Sequence, residues 1–396
     1  MISERELFYK YLAQTSPEPL GLEIVKAEGI YLYDSSGKSY VDLISGISVS
    51  NIGHRHPKVI EAIHNQTEKY LHLMVYGEYI QSPQVKLSQK LSSILGDGFD
   101  NIYFVNSGSE AVEGAIKLAK KFTKRTQIIS FKNAYHGSTH GALSLMGNEL
   151  LKNPFRPLLP DIHFNTFNNI EELNNITEHT ACVIIEPIQG EAGVVVADKV
   201  FLQKLRDKCN ETATLLIFDE IQTGFGRCGA MFAFQKYGII PDIITMAKGM
   251  AGGMPLGVFV SSKRIMMSLS NDPILGHITT FGGHPVSCAA SLATIDVLSE
   301  NNLLNNVSEK ESLFHSKLIH KAIKDIRSYG LLIAIELESF EMVKQVISKC
   351  LQKGIILDWF LFNNKSIRIA PPLTITNDEI CSACDIIIES INNCYN

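Results

Sequence analysis

The chain of 396 residues has no apolar run near the roughly 20 residues that a membrane helix needs, so no spanning helix is expected. It also has little net charge. A formal balance of −5 excludes a broad polyanion-binding face, and small or mildly anionic partners fit better than nucleic acid. With 45% apolar and only 19% charged residues, the composition excludes disorder as well. The N-terminal MISERELFYKYLAQ carries charge from its first residues and has no apolar centre, so it does not read as a secretory signal. The eight cysteines are scattered, several inside apolar segments such as TACVIIE (Cys182), which reads as reduced, buried thiols in a cytoplasmic protein. Cys381 and Cys384 form a CSAC pair without a second pair or a nearby histidine, so helix packing is expected there and no metal is assigned. Repeats, low-complexity tracts and long linkers are missing too. The length then suits one large domain plus a smaller one.

Between about residues 100 and 260, short Ile- and Val-rich runs (QIISF, ACVIIEP, TLLIFDE, DIITMA) alternate with stretches of helical spacing. That alternation predicts an α/β fold, a doubly wound and mostly parallel sheet with crossover helices. In such sheets ligands collect beyond the carboxyl ends of the strands, so the residues just after each run carry the functional reading. The last hundred or so residues change character, with asparagine-rich helices and two strand candidates, YGLLIAIELE and KSIRIAPP. The expected organisation is a segment 1–55 joining a small domain, a large domain at 56–300, and the rest of the small domain at 301–396.

Five strand ends hold unusual chemistry. After FVN comes SGSEAVEGAIKLAKKF, where Ala111, Ala115, Leu118 and Phe122 share a helical face and Ser107 with Glu110 has capping-box spacing. The first turn, behind Gly108 and the Ser109 hydroxyl, offers free backbone N–H groups to a phosphate. FKNAYHG places Tyr135 and His136 at a second strand end, and IIEPIQGEAG places Glu186 and Glu191 at a third. TLLIFDEIQTG closes in Asp219 and Glu220, which alternate sides on an extended chain. This strand also resembles the metal-holding strand of P-loop ATPases, but the one candidate loop, SSGKS at 35–39, has Leu32 where its first glycine must stand. A carboxylate at the mouth of an apolar strand then wants another cation, such as a protonated ring nitrogen. Finally, TMAKGMAGGMPLG sets Lys248 alone among glycines and methionines, with no other charge from Ile243 to Ser262. A phosphate cradle, a flat aromatic, a carboxylate and a lone amine on one rim describe a pyridoxal 5'-phosphate site, with the lysine as the Schiff-base partner.

The motif order NSGSEA, YHG, EPIQGEAG, DEIQTGFGR, AKG and TTFGGHP resembles the class III, ornithine-aminotransferase-like family of fold type I, from GHRHP at 53–57 through IRIAPP at 367–372. The resemblance implies a PLP-dependent aminotransferase that moves a terminal amino group from an amine or ω-amino acid to an α-keto acid. A mutase or racemase on the same scaffold is the alternative. Lys248 would bond the cofactor and shuttle the proton. Asp219 would pair with the ring nitrogen, Gln222 with the ring hydroxyl, and Tyr135 would stack beside His136 and Glu186. Ser107, Gly108 and Ser109 would hold the phosphate, joined by Thr280 from a neighbouring subunit, which implies a homodimer with shared sites. Arg368 would grip the substrate α-carboxylate, and Glu191 would pair with it when that carboxylate is absent. Two positions depart from the pattern. Ile47 stands where relatives acting on free ornithine carry tyrosine, which argues against that donor. Ser138 stands where many relatives carry an arginine for a distal carboxylate, which argues against 2-oxoglutarate unless Arg156 or Lys152 reaches the site.

Overall fold

The computed structural model describes residues 2–75, 77–300 and 302–395. After an amino-terminal helix, Glu4–Tyr11, come three short strands: β1 (Ile24–Glu28), β2 (Tyr31–Asp34) and β3 (Ser39–Asp42). The SSGKS stretch is the turn from β2 to β3. Asp34 Oδ1 accepts the Ser36 and Lys38 amides at 2.9 and 3.0 Å, which makes it a hairpin connection and not a phosphate loop.

The chain then forms β4 (Asn101–Val105), β5 (Gln127–Phe131), β6 (Ile162–Asn165) and β7 (Thr180–Ile185). A short ribbon follows, β8 (Ile188–Gln189) with β9 (Val195–Val196), and then β10 (Leu215–Asp219), β11 (Ile243–Met246) and β12 (Gly257–Ser261). Apart from the ribbon, these make one seven-stranded sheet in the order β4-β12-β11-β10-β7-β5-β6. Its pairs are parallel except where β12 runs against β11 and β4. All six residues of β7 and all five of β10 are buried, as expected of strands covered on both faces. Side chains alternate between the two layers. Ile128, Cys182, Ile184, Ile217 and Phe259 pack with the helix Gly108–Thr123, whereas Ile129, Val183, Ile185, Phe218 and Ile244 pack with the helix Lys199–Glu211. The first helix sits close: a Cβ on Gly114 would lie 2.2 Å from the Phe259 ring.

A second, antiparallel sheet is built by β13 (Asp325–Ser328), β14 (Ile333–Glu336), β16 (Asp358–Trp359) and β17 (Ser366–Ile369), in the order β13-β14-β17-β16. Between β14 and β16, β15 (Ile355–Ile356) pairs in parallel with β3, so the two ends of the chain share one sheet. Strands β14 and β17 fall inside the two expected segments. The CSAC pair lies on the last helix, Asn377–Tyr395, with Cys384 buried and Cys381 partly so.

Arg227 joins these parts. Its fully buried guanidinium donates to Leu331 O (2.8 Å), Pro371 O (2.6 Å) and Asn51 Oδ1 (2.7 Å), with its acidity raised by burial so that its pKa falls to about 10. Among the described residues no helix is long and apolar enough to cross a membrane.

Candidate active site

The carboxyl ends of the central strands open into a cavity of about 380 Å³. Its lining includes Ser107, Gly108 and Ser109 after β4, Tyr135 and His136 after β5, and Glu186 after β7. Glu191 from the ribbon, Asp219 and Gln222 after β10, and Lys248 after β11 complete the polar set, while Val49, Ile188, Ile221, Met254 and Leu256 supply apolar wall. The strand ends named from the sequence therefore converge on one space, as the doubly wound topology requires.

The last residue of β10 divides the work of the Asp-Glu pair. Asp219 faces the cavity, where its Oδ2 lies 2.7 Å from His136 Nδ1 and its Oδ1 accepts the Ile221 amide at 3.1 Å. Glu220 points the other way. Its carboxylate accepts the Ala233 and Phe234 amides at 3.0 and 2.7 Å and the Thr223 hydroxyl, capping the helix Ala233–Tyr237. Those three contacts make this glutamate part of the scaffold, and burial pushes its carboxyl up to about 7.

Lys248 opens a short 3₁₀ turn directly after β11, with φ 47. Burial depresses its ammonium pKa, against the pull of Glu191, Asp219 and Glu186. Glu186 is itself shifted upward, by burial first and by Asp219 second, although it accepts the Tyr135 amide at 3.0 Å and the Gly190 amide at 3.4 Å.

The helix Gly108–Thr123 presents its amino end to the cavity. Ser107 is the N-cap, accepting the Glu110 amide at 3.2 Å, but the expected capping box does not close. The Glu110 carboxylate instead takes the Asn106 backbone and side-chain amides at 2.7 and 2.8 Å, one residue upstream of the cap. Three glycines keep the space open. A Cβ on Gly108 would meet Ile221 at 2.9 Å, one on Gly137 would meet Ser109 Oγ at 2.2 Å, and one on Gly190 would meet Gln222 Oε1 at 1.8 Å.

At the rim, Arg368 on β17 and Glu191 form a buried pair with Nη2 to Oε2 at 2.6 Å. Burial opposes ionisation of Glu191, but Arg368 and then Lys248 outweigh it, and the carboxyl is held below its usual range. Arg368 is absent from the cavity wall, where Glu191 stands. Ile47, Ser138 and Thr280 do not line it either. Ile47 sits in a left-handed run, Ser45 to Ser48, with φ values of 49, 59, 65 and 60, which bonds to the end of β17 through Ser45 Oγ and Ala370 O at 2.8 Å. Thr280 is exposed. Lys152 and Arg156 are both engaged by Glu149, at 2.8 and 2.6 Å, and Lys152 also lies over Phe164 at 4.1 Å, so within this chain neither reaches the cavity. The paired histidines of GHRHP separate: His54 bonds Asp42 at 2.8 Å, and His56 leads into the helix Pro57–Thr67.

Residues 11–391 match the profile of the family described as aminotransferase class-III. The chain belongs to that family. It is 40% identical to the acetylornithine aminotransferase of Methanocaldococcus jannaschii, over 95% of this chain and 94% of that one. It is 38% identical to the [LysW]-aminoadipate semialdehyde/glutamate semialdehyde transaminase of Sulfolobus acidocaldarius, over 94% and 95%. An amine transaminase from an uncultivated Pseudomonas species, solved in its PLP-bound form, superposes with a TM-score of 0.89 at 26% identity, over 97% of this chain and 98% of that one.

Class-III aminotransferases are pyridoxal-phosphate enzymes, and this cavity fits the cofactor. Two buried polar atoms of its lining, Gln222 Oε1 and His136 Nε2, have no hydrogen-bond partner among the described residues. A helix amino terminus, a depressed lysine and a carboxylate locked by a histidine stand around the same space, which is the donor set that a phosphorylated, cationic ring aldehyde needs.

Proposed function

We propose that this aminotransferase takes the terminal amino group of an acylated ω-amino acid of the N-acetylornithine type and passes it to an α-keto acid. The observation that carries the reading is the buried Arg368–Glu191 pair at the rim of the cavity. One pocket must accept a keto acid with a carboxylate beside the reacting carbon, and also an ω-amine with none there. A guanidinium whose resident carboxylate can be exchanged for the substrate's serves both without a bare buried charge. Two curated relatives named as acetylornithine aminotransferases support the donor class, and Ile47 in place of a tyrosine argues against free ornithine.

Bound in the cavity, pyridoxal phosphate supplies the aldehyde that captures the amine and the ring that withdraws electrons from the adjacent carbon. In this reading Lys248 Nζ anchors the cofactor and moves the proton to and from the substrate carbon; its burial favours the neutral, nucleophilic amine. Asp219 keeps the ring nitrogen protonated, and His136 holds Asp219 in place. Gln222 accepts from the ring hydroxyl through its unpartnered Oε1, Tyr135 covers the ring face, and Ser107, Gly108 and Ser109 bind the phosphate with the helix N–H groups. Glu186 fixes the Tyr135 backbone from below.

A second copy of the chain would bring Thr280 to the phosphate. Exposed Ile80 (96%), Ile278 (50%) and Phe281 (53%) surround that position in sequence or space and support a dimer through this face. Half-reactions with N-acetylornithine, ornithine and 4-aminobutyrate as donors, and with 2-oxoglutarate and pyruvate as acceptors, test the reading. N-acetylornithine should convert the chromophore at least about tenfold more efficiently than ornithine. Equal efficiency with both would refute the donor assignment.

A further inference from the structure

Arg368 has two carboxylate neighbours, and the exchange described above uses only one. Strand β16 lies beside β17 with Asp358 directly across from Arg368, so the two side chains share a face of the sheet. Glu191 takes Nη2 at 2.6 Å, whereas Asp358 Oδ1 stands 3.5 Å from Nε. Asp358 Oδ1 and Arg368 Nε are both buried, and neither has a hydrogen-bond partner among the described residues. Opposite charges left facing each other across such a gap are unusual, because buried charged groups are normally bonded. The gap describes a guanidinium drawn toward Glu191, with a second carboxylate in reserve.

The same stretch of chain encloses the pair. Trp359 O lies 3.4 Å from Arg368 Nη2, the Phe360 ring lies beneath the guanidinium at 4.6 Å, and the Leu361 amide donates to Glu191 Oε2 at 3.1 Å. Three charged groups face Asp358 from other elements: Arg368 on β17, Glu191 in the ribbon loop and Asp42 at the end of β3. Burial first, then Glu191 and Asp42, raise its carboxyl to about 6 against the pull of Arg368.

We propose that Asp358 is a resident counter-charge of the substrate-carboxylate site, remaining at Arg368 when the α-carboxylate of a keto acid replaces Glu191 and setting how tightly that carboxylate is held. The inference rests on the reading of Arg368 as the carboxylate's partner. Exchange of Glu191 for a substrate carboxylate leaves one excess negative charge around Arg368 both before and after. The guanidinium is therefore compensated throughout, and the bound acid is opposed by a nearby anion that favours its release.

Asp358→Asn holoenzyme, with Asp358→Ser as a second form in case the amide disturbs β16, is titrated with glutarate by calorimetry. KM and kcat for the keto acid are measured alongside. The Kd for glutarate and the KM should both fall about fivefold at about pH 8, with kcat moving less than KM. The difference from the wild type should close at about pH 5, where the native carboxyl is itself protonated. A residue that merely props Arg368 would act in the opposite direction, so a Kd and KM that rise or stay unchanged in both variants would overturn the proposal. Arg368→Ala separates the two levels. If it leaves Kd and KM unchanged, the parent reading of Arg368 fails; if it weakens both while the Asp358 variants do not tighten them, only the counter-charge proposal fails.

Discussion

Truncating Arg368 to alanine removes one half of a pair that is almost completely shielded, with 3% and 6% of the two side chains exposed. Burial of this kind gives charge-assisted hydrogen bonds their strength. An incoming keto acid would lose a guanidinium partner worth about 2 kcal/mol, which corresponds to a rise in its KM of about thirtyfold. The amine should be affected much less. Without Arg368, Glu191 keeps the Leu361 amide at 3.1 Å and Gln222 Nε2 at 3.4 Å, and it can take up a proton once the guanidinium no longer holds its carboxyl in the ionised form. We expect kcat/KM for the amine donor to fall no more than about threefold. The assay is steady-state turnover with each substrate varied in turn while the other is saturating. A keto-acid KM within about twofold of the wild type would refute the reasoning, because it would mean that the carboxylate is bound elsewhere.

Three further outcomes follow from individual contacts. Gly190→Ala would place a Cβ 1.8 Å from Gln222 Oε1, and Gly137→Ala would place one 2.2 Å from Ser109 Oγ at a φ of +126, so both variants should fold but purify with strongly reduced cofactor content, read from the visible absorbance per chain. Arg227→Met leaves Leu331 O, Pro371 O and Asn51 Oδ1 without their buried donor; it should lower stability by about 3 kcal/mol in chemical denaturation, and an unchanged midpoint would contradict the joining role. Because burial lowers the Lys248 pKa from 10.5, the unfolded chain binds more protons in the window below that value, and apoenzyme stability should rise as pH climbs through it. Lys248→Met apoenzyme should accordingly melt higher than wild-type apoenzyme at neutral pH, with the gain fading toward about pH 10.

The strands that hold the site were legible because each is a short apolar run closing in a polar residue. QIISF, ACVIIEP, TLLIFDE and DIITMA became β5, β7, β10 and β11, and their ends meet in one cavity. Strand direction was not legible. β12 (GVFVS) looks like its neighbours in composition, yet it returns antiparallel after the Lys248 turn, since nothing in an apolar run encodes which way it pairs. Strands β13 and β16 escaped notice because each is short and partly exposed, which blurs the alternation. The same obscurity hid Asp358: its relation to Arg368 is a cross-strand register, and register depends on the fold. The Ser107–Glu110 spacing named the N-cap correctly, but the glutamate bonds to Asn106, because capping-box spacing fixes which residues are near and not which amide wins. The bland roles of Glu220 and Arg227 inside DEIQTGFGR were likewise invisible, since buried scaffold charges and catalytic ones are written in the same residues.

The central claim is that Lys248 carries the cofactor and that an acylated ω-amine displaces it. Titrating the holoenzyme with N-acetylornithine, with no keto acid present, tests it most directly by visible absorbance. The account predicts stoichiometric loss of the lysine-dependent chromophore, its recovery on adding an α-keto acid, and no borohydride-sensitive chromophore in Lys248→Ala. A wild-type chromophore that does not respond to the amine, or a Lys248→Ala variant that retains the chromophore and full turnover, would contradict it.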